Sequence, residues 1–104
     1  MRRFVSVFFT ALALLLFPAM GYTAETPVKV GFIYISPADE AGWSHSHDVA
    51  RRDLAKLPGV AAVYEESVPE GRESEDAIRK MAESGCNIIF TTSFGYMDPT
   101  IKVA

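Results

Sequence analysis

The sequence has few of the residues that build disulfide-bonded domains or metal sites. It contains one cysteine, Cys86, so no disulfide can form within the chain, and we expect this thiol to be a small buried apolar side chain. Its two histidines, His45 and His47, stand close to Asp48. Side chains two positions apart on a helix project about 200° apart, so these imidazoles would not share an ion, and we predict no metal site.

The sequence also lacks nucleotide-binding fingerprints, surplus positive charge and a recognisable catalytic group. It has neither the glycine triplet of a dinucleotide site nor the Gly-Lys-Ser/Thr of a phosphate-binding loop. Residues 1–24 read as a signal peptide, and their removal takes away Arg2 and Arg3, two of the ten basic residues. The rest of the chain then has 8 basic and 13 acidic side chains, a net charge of −5. Such a surface repels phosphate backbones, so we expect no nucleic-acid partner. No serine, cysteine or carboxylate pair has a recognisable catalytic partner, and we predict no enzymatic activity.

The first 24 residues have the three-part form of a secretory signal peptide. Arg2-Arg3 gives a positive start, residues 4–17 are apolar apart from two polar side chains, and Pro18 ends the run. This run is shorter than the ~20 residues of a membrane-spanning helix, although an uncleaved anchor is the competing interpretation. Small residues allow cleavage after Gly21 or after Ala24, and no cysteine lies there to carry a lipid.

The remaining residues alternate between strand and helix patterns, which predicts an α/β fold. The predicted elements are a strand over 28–35, a helix from 43 or 44 to 57, a strand over 60–64, a helix with Ser74 as N-cap and Gly85 as stop, a strand over 87–91, and a helix opening at Asp98-Pro99. Right-handed crossovers make this a parallel β-α-β sheet with helices on both faces and the first strand in the middle. The third strand is apolar enough to be central.

Two helical stripes are predicted to pack on this sheet, because small or apolar residues recur every three or four positions. In the first helix they are Trp43, His47, Ala50, Leu54 and Leu57. In the second helix they are Ala77, Ile78, Met81, Ala82 and Gly85.

The candidate binding residues lie in the loops that leave the strands, where open α/β proteins bind ligands. Trp43, the only tryptophan, ends the first loop and is either a large core residue or a flat face for stacking a planar ligand. Phe94 and Tyr96, in the loop after the third strand, could reach the same crevice. Ser93 and Asp98 could hydrogen-bond a polar ligand edge, with helix capping the alternative for Asp98.

Three segments make the chain resemble a known family: Gly42 to Arg52, Glu66 to Glu75, and Ile88 to Ala104. They are similar to the BMP family of ABC-transporter substrate-binding proteins, the PnrA-like group. The resemblance implies a periplasmic-binding-protein type I fold, whose two α/β lobes close on a purine nucleoside or nucleobase and deliver it to a permease in the plasma membrane.

The resemblance also implies which residues contact the solute. In such proteins an aromatic side chain after the first strand stacks on the base, and the matching position here is Trp43. The other implied ligand-binding residues are Ser44 beside it and Ser93, Phe94, Gly95 and Tyr96 after the third strand. We also predict that Asp39, in the turn of the first loop, contacts the ligand. The leader lacks the cysteine of the family's lipoproteins, so we expect a soluble periplasmic form.

The family members are longer than this sequence, so we expect residues 25–104 to be part of an N-terminal lobe. Residues 98–104 read as the opening of a helix, and an isolated half-site would leave much of a ligand in water. Because a fold alone does not fix function, an α/β enzyme and a ligand-sensing module remain the alternatives.

Overall fold

A parallel sheet of three strands in the order β2-β1-β3 organises the computed structural model, which describes residues 25–39 and 41–104. Its elements are β1 (Val28–Ile33), α1 (Trp43–Ala55), β2 (Val60–Glu65), α2 (Arg72–Glu83), β3 (Ile88–Thr91), a 3₁₀ turn (Phe94–Tyr96) and α3 (Met97–Val103). The α/β fold and the middle position of the first strand are confirmed. The predicted signal peptide, residues 1–24, lies outside the described residues.

Strand β1 is apolar on both sides because each side faces a helix. Val30, Phe32 and Tyr34 form a buried cluster with Leu54 of α1 packed against it. On the opposite face Ile33 joins a cluster with three buried residues of α2, which are Ala77, Ile78 and Met81. The prediction of helices on both faces is therefore confirmed. Within the described part of the chain, no helix combines the length and apolar character needed to cross a membrane.

The Met81 and Cys86 side chains pack closely against β1 at Gly31, so a larger residue there would require them to move. A Cβ on Gly31 would lie 2.7 Å from the Met81 Sδ and 3.1 Å from the Cys86 Sγ. Cys86 is half-buried and packs against the α2 side of the core, which partly matches the predicted buried thiol. The predicted stripe is right for Ala77, Ile78 and Met81, but Ala82 is exposed within the helix and Gly85 is exposed beyond its end at Glu83.

The predicted packing face of α1 is right for Leu54, which packs on the β1 cluster, but wrong for Trp43, Ala50 and Leu57, which are exposed. Trp43 is 63% and Leu57 52% exposed, and the residues that α1 buries are Ser44 and Asp48. The Asp48 carboxylate accepts hydrogen bonds from the Tyr34 hydroxyl at 3.1 Å, Arg51 Nε at 2.6 Å and Arg52 Nε at 2.7 Å. Because these partners satisfy the charge, a polar stripe turns inward where the sequence pattern favoured an apolar one.

Two of the predicted helix starts are also wrong. Helix α2 begins at Arg72 with Gly71 as N-cap, and the buried Ser74 hydroxyl donates back to the Gly71 carbonyl at 2.7 Å. Helix α3 begins at Met97, straight after the 3₁₀ turn, so Asp98 lies in its first turn and is not the N-cap. The predicted stop at Gly85 is confirmed, with a φ of 94° and a Gly85 amide that donates to the Ala82 carbonyl at 3.1 Å.

Within the sheet of the described residues, the third strand lies at an edge and not at the predicted central position. Among the described residues β3 pairs only with β1, through the register Val30 to Ile88 and Ile33 to Thr91. Its side chains Ile88 and Phe90 are 48% and 45% exposed, although the Phe90 ring stacks on Phe32. The apolar composition of β3 therefore does not reflect burial on both sides within this chain.

Two buried tyrosines, Tyr34 and Tyr96, make the fold less stable at alkaline pH. Burial, with a smaller effect of the Glu70 charge, raises the pKa of Tyr96 to about 12, and burial together with Asp48 raises the pKa of Tyr34 further. The native state therefore keeps protons that the unfolded chain releases above about pH 10. We expect the free energy of unfolding to fall as pH rises from about 10 towards 12. Urea unfolding followed by circular dichroism measures this fall, and an equally steep fall in Tyr96→Phe would contradict the contribution of Tyr96.

Candidate functional site

The carboxyl ends of β1 and β3 form the topological switch point of the sheet. The chain passes from β1 to β2 on one side and then crosses to β3 on the other, since β1 lies between them. In open α/β sheets the loops diverge at such a point and leave a crevice between them. This rule places the candidate crevice between residues 34–39 and 41–42, which lead into α1, and residues 92–96, which lead into α3.

Trp43 joins the two loops while most of its side chain stays in solvent. Its indole Nε1 donates a hydrogen bond of 2.5 Å to the Thr92 carbonyl oxygen, yet the residue is 63% exposed. The His47 ring meets the indole edge-on, with 4.9 Å between ring centroids and 69° between planes. The indole therefore has a fixed partner at the crevice before any ligand arrives.

Thr92 is itself fastened to the central strand. Its backbone amide and its hydroxyl both donate to the Ile33 carbonyl oxygen, at 3.2 and 2.7 Å. The anchor of Trp43 thus runs through Thr92 to the end of β1, a part of the sheet that is fully buried. An aromatic side chain held in this way loses little conformational entropy when a ligand stacks on it.

Ser44 supports the first loop from inside. The residue is 1% exposed, its Oγ lies 2.6 Å from the Ser36 Oγ, and it accepts a hydrogen bond from the Ser36 amide at 3.2 Å. The Ala38 amide donates to Glu66 Oε2 at 2.6 Å, which ties the same loop to the end of β2. These contacts hold the segment that carries the exposed Asp39 in place.

The second loop is built around a carboxylate that comes from another loop. Glu70, between β2 and α2, accepts a hydrogen bond of 2.7 Å from the Ser93 hydroxyl. Its carboxyl group also fills the space that a Cβ on Gly95 would need. Two residues earlier, the Val68 carbonyl accepts a hydrogen bond of 2.5 Å from the Tyr96 hydroxyl.

The seven predicted ligand-binding residues fall into three groups by burial. Trp43, Phe94 and Asp39 are exposed, Ser93 and Gly95 are half-buried, and Ser44 and Tyr96 are buried. Phe94, at 87% exposed, presents the largest free apolar surface of the second loop. Direct contact of each residue with a solute stays a prediction, and the buried hydroxyls of Ser44 and Tyr96 already have protein partners.

Three residues of the site are not among its predicted members. Because Thr92 directly follows β3, its position at the crevice could be inferred from the sequence. Nothing in the sequence shows that its carbonyl oxygen accepts a hydrogen bond from Trp43. Glu70 belongs to a segment that carries the family resemblance without an implied function. His47 was assigned to the sheet face, whereas it contacts Trp43. Within residues 25–39 and 41–104, no group of three or more His, Cys, Asp or Glu side chains is arranged to hold a metal ion.

Comparison with known proteins gives a family match and two relatives. The family model for PnrA-like ABC transporter substrate-binding proteins matches residues 27–104. A purine-binding protein of Brucella abortus (strain 2308) is 51% identical over 83 residues, which cover 78% of this chain and 24% of that protein. A putative ABC transporter glucose-binding protein of Haloferax volcanii is 35% identical over 78 residues, 74% of this chain and 20% of that protein. The chain thus spans a quarter or less of the length of these relatives.

Proposed function

The chain belongs to the family of PnrA-like ABC transporter substrate-binding proteins, and we propose that it takes part in capturing a purine nucleoside or nucleobase for uptake. The single observation that carries this proposal is the position of Trp43. An exposed indole, fastened at the switch-point crevice through its Nε1, offers a flat apolar face where an α/β sheet binds its ligands.

A purine base has the chemistry that such a face prefers. Stacking of a base on an aromatic side chain contributes about 1–3 kcal/mol, and it needs no hydrogen-bonding code because every base has a π-face. Polar groups of the two loops then supply the orientation. Asp39 is exposed in the first loop, and the half-buried Ser93 stands at the entrance to the second.

The comparisons support the purine more than the sugar. The Brucella abortus relative, named as a purine-binding protein, shares 51% identity with this chain, whereas the Haloferax volcanii relative, named as a putative glucose-binding protein, shares 35%. Glucose is therefore the competing ligand that an experiment must include.

The partner and compartment follow from the same proposal. A substrate-binding protein of an ABC transporter hands its solute to a permease in the plasma membrane, which we propose as the partner of this protein. The positive start and apolar run of residues 1–24 favour export, so we place the protein in the periplasm. In a full-length relative of this family, hinge closure of two lobes would bury the ligand.

Tryptophan fluorescence tests the proposal directly, because Trp43 is the only tryptophan of the chain. We expect adenine and hypoxanthine to quench its emission in a saturable way, with excitation at the red edge of the indole band where purines do not absorb. One lobe leaves much of the ligand in water, so a Kd of about 1 mM, roughly −4 kcal/mol, is expected. Saturable quenching by glucose without any effect of the purines would overturn the purine assignment.

A further inference from the structure

We propose that Glu70 is a positioning residue of the solute site, which sets the shape of residues 92–96 and through them the orientation of Trp43. This inference rests on the proposed function, because it names a residue that prepares the same crevice for its ligand. Glu70 lies on the loop between β2 and α2, outside both loops that border the crevice.

Two contacts fit the Glu70 carboxylate to the second loop. One oxygen accepts the hydrogen bond of 2.7 Å from Ser93, and a bond to an ionised acceptor is stronger than one between neutral groups. The three heavy atoms nearest to a Cβ built on Gly95 all belong to the Glu70 carboxyl group. The glycine is therefore what allows the carboxylate to lie against the backbone at this position.

The rest of the loop is held on either side of these contacts. The Tyr96 hydroxyl donates to the Val68 carbonyl, and the Val68 amide donates to the Tyr34 carbonyl at 3.0 Å. At the other end, Thr92 is bonded to the Ile33 carbonyl. Between these fixed ends, the Glu70 carboxylate holds the middle of the loop.

The step from Glu70 to Trp43 passes through one peptide group. The Thr92 carbonyl that accepts the Trp43 Nε1 hydrogen bond belongs to the same planar unit as the Ser93 amide. A shift of Ser93 therefore turns the carbonyl away from the indole. Because Phe94 follows Ser93 directly, the same shift moves the most exposed aromatic side chain of the loop.

The experiment compares four variants of the chain without ligand: Glu70→Ala, Glu70→Gln, Gly95→Ala, and Glu83→Ala as a matched control. Glu83 is an exposed carboxylate at the far end of α2. Acrylamide quenching and the emission maximum of Trp43 report how firmly the indole is held, and circular dichroism confirms that each variant is folded. We expect Glu70→Ala to make Trp43 more accessible to acrylamide, and Glu83→Ala to match the parent chain.

Glu70→Gln and Gly95→Ala separate positioning from a general loss of structure. Glutamine keeps an oxygen acceptor of the same length, so it should restore most of the parent signal. Alanine at position 95 pushes the carboxyl group away from Ser93 and should reproduce the effect of Glu70→Ala. A fifth chain combines Glu70→Ala with Gly95→Ala. In it the new methyl group meets no carboxyl group, so the effects of the two substitutions should not add. Additive effects, or a Glu70→Ala chain with the parent's Trp43 signal, would overturn the inference.

Adenine titration of the same variants distinguishes this inference from the proposed function. If the parent chain binds adenine, Glu70→Ala should bind it about 2- to 10-fold more weakly, as expected for the loss of one hydrogen bond. A parent chain that binds and a Glu70→Ala chain that binds equally well would reject only the role of Glu70. A parent chain that does not bind would reject the purine proposal, while the acrylamide result still decides whether Glu70 positions Trp43.

Discussion

Replacement of Trp43 by alanine is expected to weaken adenine binding by about 5- to 150-fold, the equivalent of about 1–3 kcal/mol of stacking energy. The substitution removes the flat face at the crevice and the donor to Thr92 together. Because the variant has no tryptophan, its affinity must be measured through the ligand, by the broadening of adenine proton resonances with increasing protein. The 63% exposure of Trp43 predicts that the melting temperature changes little.

Two further variants divide the contributions of Trp43. Trp43→Phe keeps an aromatic face but loses the Nε1 donor, so we expect an affinity between those of the parent chain and the alanine variant. Val49→Ala removes another exposed apolar side chain of α1 and serves as the control. Equal adenine affinity in the parent chain and in Trp43→Ala would contradict the stacking role.

Replacement of Asp48 by alanine is expected to lower the free energy of unfolding by about 3–5 kcal/mol, the usual cost of breaking a buried ion pair from one side. Asp48 is 1% exposed and Arg51 14% exposed, so the guanidinium would remain buried without its partner. The Cζ atom of Arg51 also lies 4.4 Å from the centroid of the Tyr64 ring, and this contact keeps the guanidinium in place. The total free energy of unfolding of a small domain is only about 5–15 kcal/mol, so this loss is large. Urea unfolding by circular dichroism measures it.

A second acid on the same helix provides the control for Asp48. Asp53 pairs with Lys56 at 2.8 Å, but both side chains are more than half exposed, so Asp53→Ala should cost at most about 1 kcal/mol. Asp48→Asn keeps the volume and removes the charge, and it should lose most of what alanine loses. Similar losses for Asp48→Ala and Asp53→Ala would show that the buried cluster does not stabilise the fold.

The pKa of Asp48 gives the pH range of this contribution. Burial alone would raise it, but the hydrogen bond and charge of Arg51, with help from Tyr34 and Arg52, outweigh burial and lower it below 3.8. A carboxyl with a lowered native pKa stabilises the fold above its unfolded value and loses that effect as pH falls through the native value. The stability difference between the parent chain and Asp48→Ala should therefore shrink as the pH is lowered below about 4.

The order of the strands was predictable, and the inner face of α1 was not. Right-handed crossovers leave few arrangements for three parallel strands, which is why β1 falls in the middle as predicted. A stripe of apolar residues predicts the buried face of a helix only when the polar residues of that helix face solvent. Asp48 turns inward because Tyr34, from another element, completes its hydrogen bonds, and this pairing is invisible in the local sequence.

The candidate site was also predictable only in part: its place in the fold followed from the sequence, but its side-chain contacts did not. Trp43 and residues 93–96 were expected at one crevice because loops at the carboxyl ends of neighbouring parallel strands meet there, and the Trp43 to Thr92 hydrogen bond confirms that these loops meet. The contact of Glu70 with the second loop joins residues 23 positions apart, and no periodicity or turn signal records it. The burial of Tyr96 likewise depends on a partner, Val68, that the local sequence does not reveal.

The proposed position of a purine on Trp43, at the crevice between β1 and β3, can be observed through the indole NH resonance of the ¹⁵N-labelled chain. The chain has one tryptophan, so the spectrum contains one such signal to follow during an adenine titration. We predict that this signal shifts progressively and saturates together with the amides of residues 92–96, while the amides of α2 do not move. An indole signal that stays in place at saturating adenine, or shifts equally with glucose, would contradict the account.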